Sequence, residues 1–482
     1  MKPVSFCKNL ADKTIIDSLM SEKVNYKGLN LIINPQIGAW AVLDDKTMPV
    51  YNSLKNGISY SDLKSEIKDF PLLLKTLDNL FFSAIINIDG KNVFSRKQRI
   101  DTCAVNPKVI VVKYTKGCNL KCEYCYDFTG ISHEQIPSEY IDKMLRLIQN
   151  AYGKDNITII FHGGEPLLRF KDLKKEIEAL KAINDTVDFS LQTNATLITK
   201  EIAEYIVKEK INVGVSLDGV TAESNKSRLL KNNRDSSALT LNGIDNLIEA
   251  GYDDIDLLAV ITKNNYKDIL NLIKSSKAKG IRSFNLNDYF PAGRGKGKED
   301  KLALSTAENL KMKKELLLFI NDYNEGKENQ EKIYERQLYH LISLLANWNS
   351  SYMCAQSPCG AARRILALDT DGTIYPCDEF ISENKKFAIG NINEINDINK
   401  TMINSLVVKR CLGHNIENIK ECSACMWRKI CPSHCAGNSY FFKGELNHTS
   451  SKCSFYKKFI PLAIELLYQK RIKVENIVFS KY

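Results

Sequence analysis

The chain has 482 residues, of which 44% are hydrophobic and 26% charged, and its formal net charge is +10 at pH 7. This length suits two or three domains with a large buried core. The sequence contains no apolar run of about 20 residues, as a membrane helix requires. It begins MKPVSFCKNLADK, without the apolar stretch of a secretory signal, so we expect a cytoplasmic protein. The basic residues form no arginine-rich stripe, which argues against a nucleic-acid partner. The net positive charge would suit an acidic peptide.

Residues 1 to about 95 predict a hairpin followed by short helices. Two apolar runs, LNLIINP from 29 and IGAWAVLD from 37, are joined by an Asn-Pro turn signal. Helical patterns follow in TMPVYNSLKNG, in SYSDLKSEIKD with Ser61 as its N-cap, and in PLLLKTLDNLFFSAI. This order predicts a small winged-helix domain.

From residue 108 onward, short β-branched runs alternate with amphipathic helical patterns. The runs are VIVVKYT from 109, ITIIFHG from 157, VDFSLQTN from 187, INVGVSLDG from 211, IDLLAVIT from 255 and IRSFNLND from 281. Six βα units in succession predict a parallel sheet with right-handed crossovers, curved into a partial (β/α)6 barrel. In such folds the functional site lies at the carboxyl ends of the strands. Further helices are predicted at about 304–324, 330–349 and 455–470.

Three cysteines lie on one loop directly after the first of these strands. The loop reads KGCNLKCEYCYDF and carries Cys118, Cys122 and Cys125. Cytosolic thiols stay reduced, and clustered reduced cysteines commonly bind metal. Three thiolates can hold three corners of a cubane iron–sulfur cluster and leave one iron open. Structural zinc is the alternative, but it closes its tetrahedron, and His133 lacks the spacing of a fourth ligand.

The cysteine spacing, with Tyr124 before the last cysteine, resembles the signature of radical S-adenosylmethionine (radical SAM) enzymes. Further motifs at successive strand ends extend the resemblance: Gly163, Gly164 and Glu165 in HGGEP, Thr193 and Asn194, then Ser216 and Asp218 in VSLDG. The resemblance implies that these residues bind SAM. Glu165 would face its methionyl ammonium, and the two glycines would let the backbone approach it. Arg228 would pair with its carboxylate, a role that the nearby Arg234 contests.

The same resemblance implies the chemistry. The open iron chelates SAM, and one electron splits the sulfonium to give methionine and a 5′-deoxyadenosyl radical, which takes a hydrogen atom from the substrate. The protein positions donor and acceptor. Such an oxidoreductase needs a reducing flavodoxin- or ferredoxin-like donor and a low-oxygen setting.

A second set of cysteines follows in the C-terminal region. Its order and spacing resemble the SPASM extension of some radical SAM enzymes, with a zinc ribbon as the alternative. The resemblance implies two auxiliary 4Fe–4S clusters, three clusters in all. The first would be held by Cys354, Cys359, Cys377 and Cys435, and the second by Cys422, Cys425, Cys431 and Cys453. Cys354 is either a ligand or absent from the set, which would leave an iron open to a substrate thiolate.

Two features concern the substrate. Asp378 follows Cys377, and in the related anaerobic sulfatase-maturating enzymes an aspartate at this place is the base. LIINPQIGAWAVLDD resembles the PqqD-like domains of maturases that act on ribosomally made peptides (RiPPs), which bind a leader peptide as an added strand. We therefore expect a peptide maturase that forms a thioether or carbon–carbon crosslink. The alternatives are a sulfatase-maturating enzyme that makes formylglycine and a non-catalytic metal-binding scaffold.

The expected domains follow from these assignments. They are a leader-peptide recognition domain at 1–95, a radical SAM partial barrel at 96–325, a helical bridge at 326–352 and a SPASM domain with a C-terminal helix at 353–482.

Overall fold

A computed structural model describes residues 6–18, 20–93, 104–127, 130, 132–347, 352–383 and 385–480. The expected domain boundary at 95–96 lies outside the described residues. Within the described ranges, no helix combines the length and hydropathy needed to cross a membrane.

The N-terminal part contains two small antiparallel sheets and three helices. Its elements are β1 (Ile15–Ser18), β2 (Glu22–Tyr26), β3 (Leu29–Asn34), β4 (Ala39–Leu43), α1 (Met48–Ser53), β5 (Ile58–Ser59), α2 (Tyr60–Glu66), α3 (Phe70–Phe82) and β6 (Ile86–Ile88). The sheet orders are β2-β3-β4 and β5-β1-β6. The predicted hairpin is confirmed as β3 and β4, with Ile32 opposite Ala41.

The predicted N-cap of the second helix is wrong. Ser59 caps α2 instead, since its backbone is extended and its side chain accepts a hydrogen bond from the Asp62 N–H. Ser61 lies inside the helix, where its Oγ cannot reach the free N–H groups of the first turn in the same way.

The predicted six parallel strands are confirmed. They are β7 (Val109–Thr115), β8 (Thr158–Gly163), β9 (Asp188–Thr193), β10 (Asn212–Ser216), β11 (Asp256–Ile261) and β12 (Ser283–Asp288). The connecting helices are α4 (Ser138–Tyr152), α5 (Phe170–Ile183), α6 (Lys200–Glu209), α7 (Ser237–Glu249) and α8 (Ile269–Ala278). The strands pair in chain order, each parallel to the next, so all six carboxyl ends meet at one edge.

The C-terminal part extends the same sheet. Its elements are α9 (Glu299–Leu302), α10 (Thr306–Asn324), β13 (Tyr334–Glu335), α11 (Arg336–Asn347), β14 (Ile365–Leu368), β15 (Thr373–Tyr375), β16 (Gly390–Asn391), α12 (Ile398–Asn404), α13 (Leu406–Gly413), α14 (Lys420–Ser423), α15 (Ala436–Lys443), α16 (Cys453–Tyr468) and α17 (Val474–Ile477). β13 adds to β12, while β14 lies parallel to β7 and leads into antiparallel β15 and β16. The predicted helix at 330–349 begins only at Arg336, because β13 occupies the preceding residues in the sheet.

β3, the central strand of the β2-β3-β4 sheet, is buried on both faces. Leu31 and Ile33 of β3 join the main core, whereas Ile32 joins a separate core with the N-terminal helices. This explains the consecutive apolar residues LII at 31–33, since a strand covered on both faces has no polar face. Two polar contacts fix the sheet to the C-terminal part: Trp40 Nε1 donates to the Leu345 carbonyl at 2.9 Å, and Lys27 pairs with Glu465 at 2.8 Å.

Candidate active site

The three-cysteine loop begins at the carboxyl end of β7. Cys118 is buried, and Cys122 and Cys125 are half-buried. Burial raises the pKa of the Cys118 thiol to about 12 and that of Cys122 to about 11, so nearby cations are needed to hold them as thiolates. Iron supplies such charge. Among the described residues no three His, Cys, Asp or Glu side chains are arranged to hold a single metal ion.

Glycines of the HGGEP segment pack the end of β8 against this loop. Gly164 N–H donates to the Thr115 carbonyl at 2.6 Å, and Glu165 N–H donates to the Gly117 carbonyl at 2.8 Å. A Cβ on Gly164 would lie 1.8 Å from the Gly117 oxygen, and one on Gly163 would lie 2.4 Å from the Thr115 oxygen. In this structure, close approach to the cysteine loop therefore explains why both positions are glycine.

Glu165 ties together the ends of β8 and β9. Its buried carboxylate accepts hydrogen bonds from Thr193 Oγ1 at 2.7 Å, from the Asn194 N–H at 2.8 Å and from the Leu167 N–H at 3.1 Å. Burial raises the pKa of Glu165, and these donors oppose that rise. Three residues predicted to bind SAM are thus brought into one buried cluster.

Tyr124, Asp218 and Arg228 form a second buried cluster beside the loop. The Tyr124 hydroxyl donates to Asp218 Oδ2 at 2.6 Å and accepts from Arg228 at 2.9 Å. Burial has the larger effect on the pKa of the half-buried Cys122 thiol and raises it, while the guanidinium of Arg228 opposes that rise. Arg234, in contrast, is exposed. The geometry therefore places Arg228, and not Arg234, where a SAM carboxylate could meet it.

Ser216 ends β10 between these two clusters in the sheet. Its hydroxyl accepts a hydrogen bond from Gln192 Nε2 of β9 at 3.0 Å. Gly214 precedes Ser216 by two residues on the same strand. A side chain at Gly214 would clash with the Gln192 amide, so β9 and β10 are closely packed beside the site. The predicted SAM residues consequently lie along adjacent strand ends.

Eight of the nine cysteines in the C-terminal part form two groups; the ninth is Cys411. Cys359 and Cys354 contribute to the raised pKa of Cys435, and Cys354 contributes to that of Cys377, so these four thiols lie near one another. The other four line one cavity together with Trp427, Arg428 and Tyr456; they are Cys422, Cys425, Cys431 and Cys453. Both groups match the ligand sets that the resemblance implies.

A polar network inside the barrel was not predicted from the sequence. Lys113 of β7 is buried, pairs with Asp127 at 3.5 Å and donates to the Tyr126 hydroxyl at 2.5 Å. The Tyr126 hydroxyl in turn donates to Asp378 Oδ2 at 3.2 Å, which connects that carboxylate to the interior. Burial and the Lys113 ammonium lower the pKa of His162 to about 4. The feature of the sequence that could have indicated this network is the single lysine within the apolar run VIVVKYT, because a buried lysine needs polar partners.

Arg294 is a second residue that the sequence analysis missed. It donates through its side chain to the Cys122 carbonyl at 3.0 Å and through its N–H to the Cys125 carbonyl at 2.8 Å. Gly293, with φ of 53°, permits this contact, because a Cβ there would lie 2.3 Å from the Tyr126 backbone. The glycines that flank Arg294 in PAGRGKG could have indicated this close backbone contact.

Comparison with known proteins matches both cysteine-containing regions. The family model of the radical SAM superfamily matches residues 112–276, and that of an iron–sulfur cluster-binding domain, SPASM, matches residues 359–426. A cysteine-type anaerobic sulfatase-maturating enzyme of Clostridium novyi (strain NT) is 24% identical over 343 residues, which cover 68% of this chain and 88% of that protein.

Two solved structures share the fold. Native anSMEcpe with bound AdoMet has a TM-score of 0.64 at 21% identity and covers 75% of this chain and 98% of its own. Streptococcus suis SuiB bound to precursor peptide SuiA has a TM-score of 0.55 at 17% identity and covers 92% of this chain and 98% of its own. The predicted α/β fold and an enzymatic function are confirmed, and the non-catalytic scaffold is not supported. The chain therefore contains a radical SAM domain and an iron–sulfur cluster-binding SPASM domain, and it is an S-adenosylmethionine-dependent iron–sulfur enzyme.

Proposed function

We propose that this enzyme is a RiPP maturase that abstracts hydrogen from a ribosomally made precursor peptide and forms a thioether or carbon–carbon crosslink. The observation that carries the proposal is the N-terminal domain of residues 6–93. The anSMEcpe structure aligns over nearly its whole length yet covers only 75% of this chain, whereas SuiB covers 92%. The larger share of this chain that SuiB covers supports its comparison with a protein that binds a precursor peptide.

The N-terminal sheet supports binding of a leader peptide. β2 and β4 are its outer strands, and the side chains of β2 are largely exposed while those of β4 are largely buried. An outer strand offers unpaired N–H and C=O groups to an extended peptide. The leader would add to the sheet as a further strand beside β2. The Lys27–Glu465 ion pair, directly after β2, holds this strand near the C-terminal part.

The site residues take the following roles. Cys118, Cys122 and Cys125 would hold one 4Fe–4S cluster, and the two C-terminal groups of four cysteines would hold two more. When bound, the clusters supply the electron that splits SAM and accept the electron released as the crosslink closes. Arg228 would bind the SAM carboxylate, while Glu165, Ser216 and Asp218 would orient its amino and ribose groups. Asp378 would accept a proton from the substrate side chain.

Mass spectrometry with leader-bearing and leader-free peptides tests the proposal. Reconstituted enzyme, reductant and SAM would be incubated without oxygen with peptides from short cysteine-containing reading frames beside the gene. We expect loss of two hydrogens without loss of sulfur, and at least a 10-fold lower rate for the peptide lacking its leader, since leader binding supplies the affinity. Equal rates on both peptides, or no product, would refute the proposal.

A sulfatase-maturating function is the second candidate. It is favoured by Asp378, which lies directly after Cys377 and contacts Tyr126, and by the sequence similarity to the Clostridium novyi enzyme. It predicts a different product on a sulfatase-type peptide, in which a cysteine loses its sulfur and becomes an aldehyde. The same mass spectrometry separates the two functions.

A further inference from the structure

A large basic cleft lies beside the cysteine loop. Its volume is about 940 Å³, and its lining includes six basic side chains and one carboxylate, Glu123. The basic residues are Lys121, Lys226, Lys231, Arg294, Lys298 and Lys301. The site described above does not use this cleft, apart from the contact of Arg294 with the loop.

The loop backbone forms one wall of the cleft. The Lys121 N–H donates to the Leu229 carbonyl at 2.9 Å, and the Glu123 N–H donates to the Ser227 carbonyl at 2.9 Å. Lys298 Nζ donates to the Glu123 carbonyl at 3.0 Å. The cleft is thus lined by Lys121 and Glu123, the residues on either side of Cys122.

The positive charge of the cleft exceeds the negative charge beside it. Lys226, Lys231 and Lys301 are exposed; Lys226 is paired with Glu223 and Lys301 with Glu123, so the six basic side chains outnumber these two carboxylates. On the same segment, Arg228 is buried on the opposite side, against Tyr124. Within residues 226–231, the guanidinium of Arg228 thus faces the predicted SAM site, whereas the ammonium groups of Lys226 and Lys231 face solvent.

We infer that this cleft is the docking surface for a small acidic one-electron carrier protein. The carrier would give up one electron to the cluster that Cys118, Cys122 and Cys125 would hold, with no proton or bond exchanged. A basic surface steers an acidic protein to the nearest approach to the cluster and speeds encounter. The inference uses the electron requirement of the radical SAM chemistry and does not depend on the peptide substrate.

The position of the cleft favours an electron carrier over a peptide. A peptide that loses a hydrogen atom must reach the barrel interior, where Lys113, Tyr126 and Asp378 lie. An electron needs no such contact and can cross the loop. The precursor peptide is accordingly the competing occupant that the experiment must exclude.

The test compares three forms of the reconstituted enzyme: wild type, the double variant Lys226→Glu/Lys231→Glu, and the control Lys175→Glu, an exposed position on α5. Binding of oxidised flavodoxin, an acidic carrier, is measured by calorimetry at low salt. Peptide-free SAM cleavage is then measured with reduced flavodoxin and, separately, with dithionite.

We expect the double variant to bind flavodoxin about 10-fold more weakly and to cleave SAM correspondingly slower with it, since two attractive charges become repulsive. Cleavage with dithionite and all properties of the control should stay within about 2-fold of wild type. Wild-type binding should also weaken with salt more steeply than that of the double variant.

Unchanged flavodoxin binding in the double variant, or wild-type binding insensitive to salt, would overturn the inference. So would weaker binding of the precursor peptide with flavodoxin binding intact, which would assign the cleft to the peptide. If peptide modification fails while flavodoxin binding follows the expected pattern, the inference stands and the proposed function falls.

Discussion

Arg228 and Arg234 belong to one short segment, but their environments differ. Arg228 is buried and donates to Tyr124, whereas Arg234 is exposed. A charge-assisted hydrogen bond to a buried partner is worth about 1.5–3 kcal/mol. We expect Arg228→Ala to weaken SAM binding about 10- to 100-fold and Arg234→Ala to leave it unchanged.

Equilibrium dialysis of the reconstituted enzyme against labelled SAM measures both variants. Iron content is determined in parallel, because loss of the cluster would also weaken binding. A tenfold effect at Arg234 with none at Arg228 would reverse the assignment.

Asp378 is the residue proposed to take a proton from the substrate. General base catalysis contributes about 100- to 10,000-fold, so Asp378→Asn should reduce product formation by at least about 100-fold. SAM cleavage should persist, because Asp378 lies among C-terminal residues and outside the predicted SAM clusters. Glu394→Gln, at an exposed carboxyl of the same C-terminal part, is the control. Full product formation by Asp378→Asn would remove the proposed role.

Among individual site residues, the sequence predicts the role of those whose partners are close in the chain. The cysteine loop is such a case, since three ligands on one turn leave a spacing that can be recognised. Lys113 and Arg294 were missed because their contacts are made with Asp127, Tyr126 and the loop carbonyls, and spacing carries no information about such contacts.

Gly164 determines how closely β8 approaches the cysteine loop. The side chain of Gly164→Ala would lie 1.8 Å from a backbone oxygen, so the loop must shift. We expect this variant to lose about four irons per chain and to lose SAM cleavage. Gly413→Ala is the control, because no atom lies within 4 Å of its added Cβ. Iron analysis that finds Gly164→Ala fully loaded and active would contradict this account of the segment.

Glu176 of α5 has a buried carboxyl group that lies against α4. Burial raises its pKa from 4.5 to about 7, and its Oε1 has no hydrogen-bond partner. The folded state therefore binds a proton more tightly than the unfolded state, and stability is lost as pH rises from about 4.5 through 7. Gln cannot ionise, so Glu176→Gln should escape this loss.

The predicted result is a gain in unfolding temperature over wild type that is larger at pH 8 than at pH 5. Anaerobic thermal unfolding of the holoenzyme measures it, with the exposed Glu178→Gln on the same helix as control. A gain that is equal at both pH values would show that the carboxyl is not responsible.

The elements themselves were largely predictable, because β-branched runs and amphipathic patterns are local signals. β2 was not predicted, since EKVNY is mostly polar on an outer strand. The pairing of β14 with β7 was also unpredictable, because tertiary packing brings together segments far apart in the sequence.

The whole molecule joins three parts through shared packing. Leu31, Ile33 and Val42 of the N-terminal sheet belong to the main core. Deleting residues 1–95 would therefore expose apolar surface elsewhere and confuse loss of leader binding with loss of stability. Varying the leader of the peptide avoids this difficulty and leaves the enzyme intact.

The central claim is that the site of Cys118, Cys122 and Cys125 leaves one iron without a protein thiolate, so that SAM can bind it. Electron–nuclear double resonance of the reduced enzyme, with SAM labelled by nitrogen-15 or oxygen-17 at its amino and carboxylate groups, tests this directly. The account predicts hyperfine coupling to both labels in wild type and none in Cys118→Ala. A reduced cluster at this site whose spectrum shows no coupling to either label would contradict it.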